Sequence, residues 1–166
     1  SYGISGVTDD VKGVTWNGSK FYAVYSKSDG TVQIVESTDG TGWSNTINMG
    51  TGSGSAVGIK SDGAGITIAV SSNRDVYVEN TVDPWSNAAD VYTSGAMNQL
   101  EYTSGTWWVT GTRYVYTGNA TGTWTRYDVS GGGSSVVFRD IVEDSSGNLV
   151  VAGDHSSSTS GVYLSS

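Results

Sequence analysis

The 166-residue sequence has no cysteine, a single proline and a single histidine. Without cysteine there is neither a disulfide framework nor a thiolate metal site. One His is too few for a histidine-cluster metal centre. The missing thiols suit a reducing cytoplasm at synthesis and place no limit on where the protein later resides. Cations are also scarce: Lys and Arg number 8 against 16 Asp and Glu, for a formal net charge of −8. Nucleic-acid phosphates and anionic membranes need clustered Lys and Arg, so neither is expected as a partner. No apolar run approaches the ~20 residues of a spanning helix, so membrane insertion is not expected. Ser1 is a residue type that follows a removed initiator Met, although an excised domain would start the same way.

Charged residues make up 14% and hydrophobic residues 36%, a balance low enough to raise the question of disorder. The aromatics answer it. Six Trp, ten Tyr and two Phe sit among 24 Gly and abundant Ser and Thr, whereas disordered chains carry few aromatics. Aromatic and β-branched residues between Gly/Ser/Thr turns describe many short strands. The length suits one domain with its own core.

Internal repetition organises these strands. Asn17-Gly18, Asp62-Gly63, Ser104-Gly105 and Ser146-Gly147 are hairpin-type dipeptides 45, 42 and 42 residues apart. Each precedes an apolar run, namely Phe21-Tyr22-Ala23-Val24, Ile66-Thr67-Ile68-Ala69-Val70, Trp107-Trp108-Val109 and Leu149-Val150-Val151-Ala152. A shorter strand with Val14, Ile59, Leu100 or Ile141 comes before each dipeptide. An independent ruler agrees, because Trp43, Trp85 and Trp124 recur at 42 and 39 residues.

Four strands fit each period, the sequence signature of a propeller blade. In the second unit they are expected near 56–61, 66–72, 75–80 and 85–92, and in the third near 97–103, 106–112, 114–118 and 123–129. The expected fold is an all-β, four-bladed propeller in one domain, with blades over about 10–50, 55–95, 96–132 and 134–166. A sheet apolar on both faces cannot bury both alone, so the blades must stack. The fourth unit offers only three strands, near 136–143, 148–153 and 161–165, while Tyr2, Ile4 and Val7 alternate with small residues at the N-terminus. Residues 1–7 are therefore expected to supply the missing outer strand and close the ring, removing a raw sheet edge.

Ser37-Thr38-Asp39-Gly40-Thr41-Gly42-Trp43 resembles the Asp-box, the Ser-x-Asp-x-Gly-x-Thr-Trp turn of sialidase-like, BNR-type β-propeller repeat proteins. It falls between the third and fourth strands of a blade, where that family has it, with one residue fewer. The segments at 79–85 and 118–124 lose the Ser and most of the acidic pattern. The resemblance implies the fold, on which the family carries many unrelated functions. In its low charge, lack of Cys and Gly/Ser/Thr-rich strands the chain is also similar to bacteriophage virion proteins that carry such blades.

Catalytic constellations are harder to assemble. Sialidases, as the resemblance implies, use three Arg on the substrate carboxylate, a Tyr activated by Glu and an acidic proton donor, on six blades. The chain has Arg74, Arg113, Arg126 and Arg139 without the family's Arg motif. For glycoside hydrolysis the carboxylate candidates are Asp9-Asp10, Asp140 and Glu143-Asp144. Most lie beside turn glycines, where Asp serves its own backbone. Asp154-His155-Ser156 sits in a Ser-rich loop with no nucleophile elbow. The loop Asp144-Ser145-Ser146-Gly147-Asn148 lacks the ligand number of a dedicated calcium site. No catalytic residue, metal ligand or cofactor is assigned.

Two sets of binding candidates stand out. The turn after the second strand of a blade carries Lys27, Arg74, Arg113 and His155 in successive units. In a propeller these turns emerge on one face, giving an acidic protein a basic rim. Exposed Trp is a sugar-stacking surface, and Trp16, Trp107 and Trp108 are the candidates for it. Adjacent strand residues point to opposite sides, so one of Trp107 and Trp108 should face a neighbouring blade or solvent. The expected function is that of a non-catalytic structural protein of a virion, as a capsid decoration or tail-fibre accessory. Its partners would be other virion proteins or surface glycans, and its location the virion surface or otherwise extracellular. A lectin-like glycan-binding module is the alternative, and a glycoside hydrolase comes last.

Overall fold

In the computed structural model, which describes residues 10–49, 54–79, 85–90, 95–120, 123–129, 136–155 and 160–165, the chain is all β. The first sheet holds β1 (Val11–Trp16), β2 (Phe21–Ser26), β3 (Val32–Ser37) and β4 (Ser44–Asn48). The second holds β5 (Ala56–Ser61), β6 (Thr67–Ser71), β7 (Asp75–Glu79) and β8 (Ser86–Asp90). The third holds β9 (Met97–Thr103), β10 (Thr106–Gly111), β11 (Tyr114–Gly118) and β12 (Trp124–Asp128). The fourth holds β13 (Val136–Glu143), β14 (Leu149–His155) and β15 (Ser160–Ser165). Within each sheet the strands pair antiparallel in chain order, as the repeat period leads one to expect. The expected closing strand, residues 1–7, lies outside the described residues.

The local chemistry of the hairpins explains this regularity. Gly18, Gly63, Gly105 and Gly147, one per hairpin, have φ of 98°, 73°, 82° and 85°, the left-handed region that glycine enters without a Cβ penalty. A second device is invisible in composition: the first strand of every sheet is bulged at one place. The registers skip Lys12, Val57, Asn98 and Arg139, leaving each without a ladder partner. A bulge bends a strand and increases its twist, and here it recurs in all four sheets.

The sheets stack through their first strands. β1 lies against β5, β5 against β9, and β9 against β13. Glycine allows the close approach: a Cβ on Gly13 would sit 3.2 Å from the Ile59 nitrogen, and one on Gly58 3.4 Å from the Leu100 Cβ. Register-equivalent residues meet, so the first strands run in the same direction. The turns after β2, β6 and β10 therefore open at one end of the stack.

Each junction buries its own core. Tyr22, Val24 and Ile34 of the first sheet pack on Ile59 and Ala69 of the second. Ile68, Val70 and Val76 pack on Leu100, Val109 and Tyr116 of the third. Trp108 and Val115 pack on Phe138, Ile141 and Val151 of the fourth. Polar ties cross the same junctions. The Ser26 hydroxyl accepts the Ala56 N–H at 2.8 Å, and Val136 carbonyl accepts the Arg113 N–H at 2.7 Å. Lys60 Nζ lies 2.9 Å from Glu101 Oε2, and Gln99 Nε2 donates to Asp140 Oδ1 at 2.9 Å. Among the described residues the extensive inter-sheet contacts run first to second, second to third and third to fourth. None joins the fourth sheet to the first.

Candidate functional site

Of the acidic residues that sequence raised as catalytic or calcium candidates, Asp144 is occupied by its own turn, Asp10 pairs with Lys12, and Asp9 lies outside the described residues. Asp144 Oδ1 accepts N–H bonds from Ser146 at 2.8 Å and Asn148 at 2.9 Å, and Oδ2 accepts from the Asn148 amide at 2.8 Å. These bonds, the Asn148 side chain's first, hold its carboxyl below the usual range. In the turn over residues 37–43, Asp39 Oδ1 accepts from Thr41 N at 2.7 Å, Gly42 N at 2.9 Å and the Ser37 hydroxyl at 3.1 Å. The Gly42 and Thr41 amides hold that carboxyl far below its ordinary value. Asp29 is lowered to about 2, chiefly by the Thr31 hydroxyl and N–H and then by Lys27. Asp140, by contrast, receives the Gln99 amide from the neighbouring sheet.

Among the described residues a part-buried Tyr–Glu pair joins two sheets. Tyr22 hydroxyl, on the first sheet, donates to Glu79 Oε1, on the second, at 2.5 Å. Burial first, and then this bond, raise the Tyr22 pKa well above that of a free phenol. A nucleophilic Tyr needs the opposite shift. The pair is thus a tie between sheets. Among the described residues, the shifts at Tyr22, Asp29, Asp39 and Asp144 run opposite to the directions that acid–base or nucleophilic work at neutral pH requires.

The basic candidates fall at one end of the stack. Arg74 and Arg113 each immediately precede the third strand of their sheet, in adjacent sheets, and both side chains are exposed. Both residues have left-handed backbones, with φ of 85° and 75°, uncommon without glycine. The Arg74 N–H donates to Ser71 carbonyl at 3.1 Å, closing the turn that puts it there. Arg113 and Arg126 stack over the Tyr114 ring, at 5.1 and 4.5 Å from its centroid. Lys27 belongs to a longer turn, at its first position, and its Nζ lies 3.2 Å from Asp29 Oδ2. His155 is the last residue of β14, paired with Val136, because that strand runs further than expected. The turn that follows it lies outside the described residues.

The tryptophans need a correction. Trp107 and Trp108 are both buried, Trp107 in the core between the second and third sheets and Trp108 in that between the third and fourth. They do face opposite sides, but each side is covered by a sheet, so neither is a stacking surface. Trp16 is 45% exposed, with its ring 4.5 Å from that of Phe21.

The structure adds a feature that sequence reasoning missed. A cleft of about 360 Å³ follows β1, β5 and β9, with Lys12, Lys60, Asn98 and Gln99 among its lining. The bulges turn some of these side chains to the cleft, and bulges leave no residue-type signal. Lys12 and Lys60 are paired there with Asp10, at 3.3 Å, and Glu101.

No protein-family model and no curated protein matches the chain. Solved structures do. The computationally designed Ika4 protein aligns over 99% of this chain and 97% of its own, with TM-score 0.65 at 10% identity. YCF48, solved bound to D1 peptide, aligns over 97% of this chain with TM-score 0.65 at 16% identity. The WD40 β-propeller domain of Doa1 aligns over 91%, with TM-score 0.51 at 12% identity. The chain spans 52% of YCF48 and 64% of the Doa1 chain. These likenesses, with the stack of antiparallel sheets, place the fold in the β-propeller class.

Proposed function

We propose that the chain is a non-catalytic structural module of an assembled particle of the virion type, a capsid decoration or tail-fibre accessory that docks through its basic end. The observation that carries this reading is the repetition of Arg74 and Arg113. Two exposed Arg occupy the same left-handed turn position in neighbouring sheets, at one end of a chain with net charge −8. Arg suits this use because its planar fork holds a carboxylate through two parallel hydrogen bonds. The partner is an acidic surface, on another particle protein or an anionic glycan. Support for a non-catalytic role comes from Asp29, Asp39 and Asp144, which serve their own turns. The Asp-box resemblance belongs to the same reading, since the turn over residues 37–43 acts here as scaffold.

Attachment of the Arg74→Ala/Arg113→Ala double variant to the particle tests the idea. Attachment should weaken, Arg→Lys at both sites should restore part of it, and rising salt should weaken the parent, since solvated charges are screened within about 8–10 Å. Normal attachment of the double Ala variant at low salt contradicts the reading. Glycan binding keeps one observation of its own, the half-exposed Trp16 beside Phe21. A glycan array compared between the parent and Trp16→Ala decides it.

A further inference from the structure

The repeat allows each position to be compared with its three equivalents. Val14, Ile59, Leu100 and Ile141 pair with Ala23, Ala69, Val109 and Val151 and so occupy one position in the four first strands. Ile59, Leu100 and Ile141 are at most 2% exposed, each covered by the preceding sheet, whereas Val14 is 56% exposed. The opposite face behaves in mirror fashion. Ile34, Val76, Val115 and Val162 occupy one position in the third strands. The first three are at most 2% exposed, covered by the following sheet, and Val162 is 69% exposed.

These two positions meet at every junction. Ile34 shares a core with Ile59, Val76 with Leu100, and Val115 with Ile141. Among the described residues of these two positions, Val162 and Val14 have no such counterpart. The tryptophans repeat the pattern. Trp85 packs on the core between the first and second sheets, and Trp124 on that between the second and third. Trp43 packs on Ala23, Tyr25 and Val35, on the face of the first sheet turned away from the second. At the other end, Val142, Val150, Ala152 and Val162 line a shallow groove of about 90 Å³. The stack therefore ends in two apolar faces of the same design as its buried junctions.

We infer that a second copy of the chain completes the propeller, its fourth sheet packing Val162 and Val142 against Val14 and Trp43 of the first copy, and the reverse. Two copies related by a twofold axis use both open ends at once, so the assembly closes and does not polymerise. The inference is independent of the docking proposed for the basic end.

The absence of cysteine from the chain makes a clean test possible. Val14→Cys and Val162→Cys proteins are mixed and treated with a short bismaleimide, while the untreated parent is weighed in solution by sedimentation. The expected results are a cross-linked product of two chains and a parent mass of twice the 17.3 kDa chain. The double variant Val142→Glu/Val162→Glu should sediment as one chain with an unchanged circular-dichroism spectrum. Three outcomes overturn the inference: a parent that sediments as a single chain at micromolar concentration, an intramolecular cross-link in the Val14→Cys/Val162→Cys chain, or higher open assemblies.

Discussion

The second and third sheets and the first and fourth carry the same repeat, yet they do not bury it alike. Each middle sheet packs on a neighbouring sheet at both faces, whereas among the described residues the first and fourth each pack extensively on one; Trp43 covers part of the first sheet's outer face. Leu100 and Val14 are both aliphatic, both at the centre of a first strand, and both paired to a buried residue of the second strand. One is buried and the other exposed because of what lies beside the sheet. Burial in a repeat fold is a property of the junction, and the energy of a position follows from its neighbours.

Substitutions can break that comparison. Trp124→Ala should cost roughly 3–5 kcal/mol, because Trp124 packs on the core between two sheets. Trp43→Ala should cost far less in the dissociated chain and approach that figure in the assembled one. Leu100→Ala should cost about 2–5 kcal/mol by urea denaturation, against about 1 kcal/mol or less for Val14→Ala in the dissociated chain. Equal losses at Leu100 and Val14 would mean that the open end is already covered within one chain.

The Tyr22–Glu79 tie gives a smaller effect, at a junction the chain makes by itself. Tyr22→Phe should cost about 1 kcal/mol, the usual net worth of such a bond. Its pH dependence has a definite sign. The folded pKa of Tyr22 is raised, so its contribution is fully present below the unfolded value of about 10 and lost as pH climbs above it. The parent should lose stability on that alkaline limb, and Tyr22→Phe should flatten it. A parallel loss in both proteins would remove the tie from the account.

The smallest effects lie in the turns. The folded pKa values of Asp39 and Asp29 are depressed, that of Asp29 to about 2. Their contribution is present above the unfolded value of about 3.9 and fades as pH falls through the folded one. Melting temperatures followed from pH 5 to pH 2 should fall less steeply for Asp39→Asn than for the parent. A slope unchanged by the substitution would assign the acid limb to other groups.

Much of the fold was legible because turn glycines and strand apolarity have short periods. The glycines at 18, 63, 105 and 147 all proved to be left-handed. Predicted strands such as 97–103 and 136–143 coincide with the observed β9 and β13. The bulges at Lys12, Val57, Asn98 and Arg139 were not legible, since four different residue types occupy one backbone feature. The cleft they help to shape was missed with them. Trp107 and Trp108 are stacking candidates in the sequence, one of them expected to face a neighbouring blade or solvent, because sequence shows that adjacent residues diverge but not that a sheet waits on either side. The inequality of Val14 and Leu100 was out of reach for a deeper reason. A neighbouring sheet is not written into the strand it covers.

Hydrogen exchange measured across a dilution series tests the central claim most directly. Amides of β6, β7, β10 and β11 should be protected equally at every concentration, being covered by sheets of their own chain. Those of β1, β14 and β15 should gain protection as concentration rises and a second copy covers the open ends. Protection of β1 and β15 that is already complete in the most dilute sample, and unchanged thereafter, would contradict it.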